Sequence, residues 1–174
     1  MTNAEFEVFF HEYKDAVYRF AWRVTGSPTA ADDVAQDVFL SLLRYPDRFD
    51  HTLGSLRSFL LAVARNLALK RWRGESRWED LDDERFAAEP VSLENGEVAE
   101  IVGKAVQSLP PLQREVLVLS EYEELSLEEI AQVVQSEVGT VKSRLYRARE
   151  NLKRMLAPLK PRNAMRMMSD GTVR

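Results

Sequence analysis

Apolar positions recur every three to four residues along most of the chain, which predicts a helical protein. Phe6, Phe9, Phe10, Tyr13, Val17, Phe20, Ala21 and Val24 form one broad stripe from about Glu5 to Thr25, and Gly26 is a natural stop. Ser27 and Pro28 open a second helix as N-cap and first helical residue, with Ala31, Val34, Ala35, Val38, Phe39 and Leu42 as its inner face. From Tyr45 to Leu56 the period breaks at Pro46, Asp47, Asp50 and Gly54, so a loop is expected. Ser55 then caps a third helix to about Trp72, with Phe59, Leu60, Val63, Ala64 and Leu67 turned inward.

No period holds from Gly74 to about Val91. Helical spacing returns between Leu93 and Ser108, in Val98, Ile101, Val102, Ala105, Val106 and Leu109. Pro110 and Pro111 end that pattern, and Pro111 suits the first turn of the next helix, which carries Leu112, Val116, Leu117 and Leu119. A polar turn from Glu121 to Leu125 follows. Ser126 and Glu129 have capping-box spacing and start a short helix with Leu127, Ile130, Ala131 and Val134 inside. After a break at 135–137, Val138, Val141, Leu145, Ala148, Leu152, Met155 and Leu156 form the inner face of a longer helix. The expected fold is all-α. Two small helical domains, at 1–73 and 93–160, are joined by a flexible acidic linker at 74–92 and followed by a flexible tail at 161–174.

Charge changes this picture by its distribution. The net charge is −4, but residues 1–73 carry 10 Lys/Arg against 9 Asp/Glu, residues 74–100 carry 2 against 10, and residues 101–174 carry 12 against 9. The acidity sits in the middle, leaving flanks suited to nucleic acid. The chain has no cysteine, which excludes disulfides, thiolate metal sites and cysteine nucleophiles. His11 and His51 are its only histidines, and no motif supports a metal site. Glu5, Glu7 and Glu12 interrupt any signal-peptide pattern, and no apolar run approaches membrane-spanning length. A cytoplasmic protein without membrane insertion is expected.

Three constellations could carry chemistry. The short and long helices from Ser126 onward have the layout of a helix-turn-helix, whose second helix enters a major groove. Its outer face shows Thr140, Lys142, Ser143, Arg144, Arg147 and Arg149. The third helix places Arg57, Arg65, Asn66, Lys70, Arg71 and Arg73 outward, with Trp72 among them. That mixture suits single-stranded nucleic acid, or equally a basic helix end that complements the dipole. Asp33, Gln36 and Asp37 share one patch, either a solvated acidic face or a docking surface for a basic partner; spacing alone favours the former. No nucleophile–base pair supports an enzyme.

Two separated stretches resemble the extracytoplasmic-function (ECF) group of bacterial RNA polymerase sigma factors. Ala31-Asp32-Asp33-Val34-Ala35-Gln36-Asp37-Val38-Phe39, with Phe59 to Arg73 and its Ala64-Arg65-Asn66, is similar to conserved region 2. Leu109-Pro110 to Val118, with Ser126 to Arg149, is similar to the region 4 helix-turn-helix. The resemblance implies a non-catalytic specificity subunit without a cofactor. Its implied partners are core RNA polymerase, through the largest-subunit clamp helices and the flap region, together with promoter DNA and an anti-sigma factor. It assigns Asp33, Gln36 and Asp37 to the clamp helices. The 45–58 loop with Arg57, and Arg65, Asn66, Lys70, Arg71 and Arg73, take the −10 element. Thr140, Lys142, Ser143, Arg144, Arg147 and Arg149 take the −35 element. Two departures stand out: Lys70 occupies a commonly acidic position, and Gln135-Ser136 replaces the usual Gly and apolar residue of the turn. A stand-alone helix-turn-helix regulator would explain only the second half, and a helical protein-interaction adaptor would need neither Arg144 nor Arg147.

Overall fold

The computed structural model describes residues 1–75, 84–93 and 96–159, the side chains of 72–75 excepted. Seven α-helices occupy the described residues. The first half is a bundle of α1 (Asn3–Thr25), α2 (Pro28–Arg44) and α3 (Leu56–Glu75), with a 3-10 turn at Pro46–Arg48. Local signals set the helix starts. Thr2 and Glu5 form a reciprocal capping box on α1, a cap that the apolar period alone does not mark. The Ser27 hydroxyl accepts from the Ala30 N–H, and the Ser55 hydroxyl from the Ser58 N–H. Gly26 ends α1 in the left-handed region at φ 70°, where an added Cβ would lie 2.5 Å from the Gln107 side-chain oxygen.

The second half contains α4 (Val98–Ser108), α5 (Pro111–Leu117), α6 (Leu127–Val134) and α7 (Val138–Leu156). α4 begins later than the expected Leu93. α5 runs into a π-helical turn at Val118–Tyr122. The Ser126–Glu129 capping box is present at the start of α6. α5 and α7 share a buried side-chain hydrogen bond, Asn151 to Gln113, at 2.9 Å. Pairing is what allows two amides to lie inside an apolar core.

The two halves pack together, and one buried apolar cluster runs from Phe20 and Leu61 through Leu117 to Ile130 and Leu145. Side chains of the second half satisfy the end of α1. The last carbonyls of a helix have no partner within it. Here Arg114 donates to the Val24 carbonyl at 2.6 Å, and the Gln107 amide donates to the Arg23 carbonyl. Arg114 also reaches the carbonyls of Gln107 and Leu109, and its burial pushes the guanidinium pKa down to about 10. The Arg23 guanidinium stacks over Tyr122, 4.2 Å from the ring centre.

Part of the acidic linker is described, at 84–92. Its Val91 N–H bonds to the Met155 carbonyl at 2.9 Å, serving another helix-end acceptor in the last turn of α7. The expected tail at 161–174 lies outside the described residues, as does most of 74–83 apart from the end of α3.

Candidate nucleic-acid interface

The helix-turn-helix depends on a tight turn between α6 and α7. Gln135 takes the left-handed conformation there, with φ 52° and ψ 49°, although it replaces the usual glycine. Its N–H returns to α6 carbonyls, and Ser136 N–H bonds to the Ala131 carbonyl at 3.1 Å. α7 then starts at Val138 and buries Val141, Leu145, Ala148, Asn151 and Met155.

The opposite side of α7 is open. Gly139, Lys142, Ser143, Tyr146, Arg149 and Lys153 are exposed and follow helical spacing along one face. Of the expected −35 residues, Lys142, Ser143 and Arg149 lie on this face. Thr140, Arg144 and Arg147 are half-buried on its flanks. Arg144 donates to the Ser136 hydroxyl at 3.4 Å, and Arg147 stands 3.9 Å from a Glu84 carboxylate oxygen. Arg149 makes two bonds to Glu121, at 2.6 and 3.0 Å. Tyr146 lies mid-face with 67% of its surface exposed, and it is absent from the residues expected there. Spacing could have found it: Tyr146 is four residues from Lys142 and three from Arg149.

α3 holds the second set. Asn66, Lys70 and Arg71 are exposed, as expected from their positions. Arg65 is not. Its position predicts an outward side chain, but only 8% of it is exposed, and it forks onto Glu115 of α5 at 2.8 and 2.9 Å. The correction has a simple cause. α3 buries Leu60, Leu61, Ala64, Ala68 and Leu69, so it is wrapped on two sides, and the row containing Arg65 faces the second half. Arg57 is also engaged, by the Glu123 carboxylate at 2.5 Å and the Glu123 carbonyl at 3.0 Å. Arg73 belongs to α3, but its side chain lies outside the described residues.

The loop before α3 encloses a cavity of about 150 Å³, lined by Arg48, Phe49, Asp50, Leu53, Ser55, Ser58 and Phe59. Phe49 and Phe59 meet with ring centres 5.5 Å apart. The Asp50 carboxylate accepts from the Thr52 N–H and hydroxyl at 2.8 and 2.6 Å, which holds its pKa below the ordinary value. Gln132 and Val133 of α6 line the same cavity, from the other half of the chain.

Asp33, Gln36 and Asp37 are all exposed on α2, with Leu40 exposed one turn further on. Arg71 reaches across from α3 to Asp33 at 3.3 Å. Among the described residues no group of three or more His, Asp or Glu could hold a metal ion.

The geometry is a helix-turn-helix with an open polar face, beside a helical bundle with exposed cations and an acidic patch. Comparison with known proteins gives the family. Sigma-70 region 2 matches residues 9–78, and sigma-70 region 4 matches residues 99–152. The ECF RNA polymerase sigma factor SigW of Bacillus subtilis is 31% identical over 162 residues, covering 84% of this chain and 86% of that protein. SigE of Mycolicibacterium smegmatis is 34% identical over 154 residues; the match covers 84% of this chain but 59% of that longer protein. Among solved structures, the sigma factor RpoE of Bartonella quintana, in complex with the anti-sigma factor NepR, superposes with a TM-score of 0.71 at 25% identity, covering 88% of this chain and 97% of that one. CnrH, in complex with the cytosolic domain of CnrY, gives 0.67 at 25% identity, covering 92% of both chains. The chain belongs to the ECF sigma factors of the sigma-70 family.

Proposed function

We propose that this sigma factor divides promoter recognition between α7 and the α3 region, and that α2 docks on core RNA polymerase. As a member of its family it binds the core enzyme and directs promoter-specific initiation. The observation that carries the division is the open face of α7, set beyond a capped α6 and a left-handed Gln135. On this reading Lys142, Ser143, Tyr146 and Arg149 meet the −35 element, with Thr140, Arg144 and Arg147 on the flanks. Cations on phosphates supply register and salt-dependent affinity, and side chains in the groove read base edges.

Arg57, Arg65, Asn66, Lys70, Arg71 and Arg73, with the 45–58 loop, take the −10 strand. The loop cavity, with Phe49 and Phe59 at its wall, suits a splayed base, where stacking on a side-chain ring replaces stacking within the duplex. Asp33, Gln36 and Asp37 take cations of the clamp helices. An anti-sigma factor is expected as a further partner, because the solved relatives RpoE and CnrH are complexes of that kind or with a cytosolic partner domain.

Promoter engagement also requires the two halves to part. Arg57 and Arg65 are held by Glu123 and Glu115 of the second half, and α6 lies over the loop cavity. Arg65, with 8% of its side chain exposed, does not reach a phosphate while its bonds persist, and Arg57 is partly diverted.

The test is transcription in vitro from a promoter library, with core polymerase plus this protein. Initiation at a defined −35/−10 pair is expected. DNA binding without initiation would instead mark a stand-alone regulator.

A further inference from the structure

Residues 84–93 form no helix or strand, yet they are held against the helix assigned to −35 DNA. Val91 bonds to the Met155 carbonyl at 2.9 Å. Val91 and Ser92 share a cavity with Ile101 and Lys104, so this end of the segment sits between α4 and α7. Phe86, Ala88 and Val91 are half-buried against the core. Pro90 keeps Glu89 extended and fixes its own φ, which limits the conformations available to the segment.

At its other end the segment reaches the recognition part of α7, where Glu84 lies 3.9 Å from Arg147. The span is consistent with the anchor. Arg147 and Met155 are separated by roughly 12 Å of helix. The chain from Glu84 to Val91 extends to about 24 Å, ample to run alongside. Arg147 shares a row with Asn151 and Met155, and only 25% of its side chain is exposed. Lys142, Ser143, Tyr146 and Arg149 remain exposed on the adjoining face. The segment thus covers one flank of the reading helix and leaves its face open.

We infer that residues 84–91 are an intramolecular acidic strap, which sets the Glu84 carboxylate on the Arg147 flank in place of a DNA phosphate and leaves when DNA binds. Carboxylate and phosphate carry the same sign, so at one guanidinium each weakens the hold of the other. The Val91–Met155 bond and the cavity shared with Ile101 and Lys104 tie this end of the strap to the second half. It therefore acts even when the two halves have parted, which distinguishes it from the Arg65–Glu115 contact. The inference rests on the assignment of α7 to duplex DNA.

The test compares the full chain with Glu84→Gln/Phe86→Ser, using a short fluorescein-labelled DNA duplex of mixed sequence at low salt. A strap engaged about nine-tenths of the time predicts roughly 10-fold tighter binding by the variant. Glu84→Gln alone alters one exposed side chain and shifts affinity in the same direction by less. Hydrogen exchange supplies the second readout: the Val91 amide is protected in the free chain and loses protection with saturating duplex. Equal affinities, or protection that duplex leaves untouched, overturn the strap. If core-dependent transcription survives that result, the strap alone has failed. If such transcription is absent, the assignment beneath it has failed.

Discussion

Arg65 of α3 and Glu115 of α5 form a forked ion pair between the two halves, with 8% and 1% of their side chains exposed. Taking both charges out of water costs nearly as much as their attraction returns, so the pair adds little net adhesion. What it adds is selectivity. Only this arrangement supplies both partners, and only separation restores both to water. Arg65 is also assigned to promoter DNA, so the packed and promoter-bound arrangements compete for one guanidinium.

Glu115→Gln should therefore open the molecule. Breaking a buried pair leaves an uncompensated charge at a cost of about 3–5 kcal/mol. The packed form bears that cost, and the parted form, with Arg65 in water, does not. Small-angle X-ray scattering should show a larger radius of gyration while helical circular dichroism is retained. The exchange Arg65→Glu with Glu115→Arg should return the radius toward that of the native chain. A compact Glu115→Gln protein would show that the apolar contacts alone hold the halves together.

The same pair shows where reading the sequence stops. Helix starts are legible because caps are local: Ser27, Ser55, Ser126 and Glu129 act within three residues. The acidic patch on α2 is legible because one apolar stripe leaves one exposed side. α3 is not, because it packs on two sides. Periodicity assigns a cation to solvent unless a partner is known, and the partner of Arg65 lies 50 positions away. Glu123 reads as part of a polar turn for the same reason, although it is buried against Arg57. Tyr146 carries no charge to mark it in the sequence, whereas its exposure places it in the middle of the open face of α7.

Lys142 and Tyr146 should fail in different ways. Lys142→Ala removes a cation and should weaken −35 binding across sequences, lowering the salt slope by about 1. Tyr146→Ala removes an exposed ring whose contacts in a groove are with base edges. Its effect should depend on sequence, at about 1–3 kcal/mol against the preferred step. Transcription from a promoter library at two salt concentrations separates these outcomes. A uniform loss for Tyr146→Ala would move that residue to the phosphate backbone.

Asp33→Arg with Asp37→Arg should weaken binding to core polymerase and leave the fold intact. Both carboxylates are exposed, and the one contact between Asp33 and Arg71, at 3.3 Å, is a surface pair. Such pairs contribute about 0–1 kcal/mol, so thermal stability should change little. Titration of labelled core enzyme measures the loss, and unchanged affinity would remove α2 from the docking surface. Removal of the Asp33 carboxylate also releases Arg71, so any gain in DNA affinity by the free variant would show that the two surfaces are coupled through this pair.

Gln135→Gly should stabilise the protein without altering what α7 reads. Gln135 sits at φ 52°, where its Cβ crowds the following carbonyl at about 1–2 kcal/mol. Glycine removes that crowding but has more freedom to lose on folding, by roughly 0.5–1 kcal/mol. The net gain is therefore about 0–1.5 kcal/mol, or up to roughly 6 °C in Tm for a chain of this size. The Gln135 side chain is exposed, so its removal takes no packing from the core. The aim of α7 depends on backbone bonds from residues 135 and 136 to α6, which glycine keeps. A rise in Tm with unchanged −35 preference is expected. A changed preference would show that Gln135 itself meets DNA, placing the turn within the reading surface.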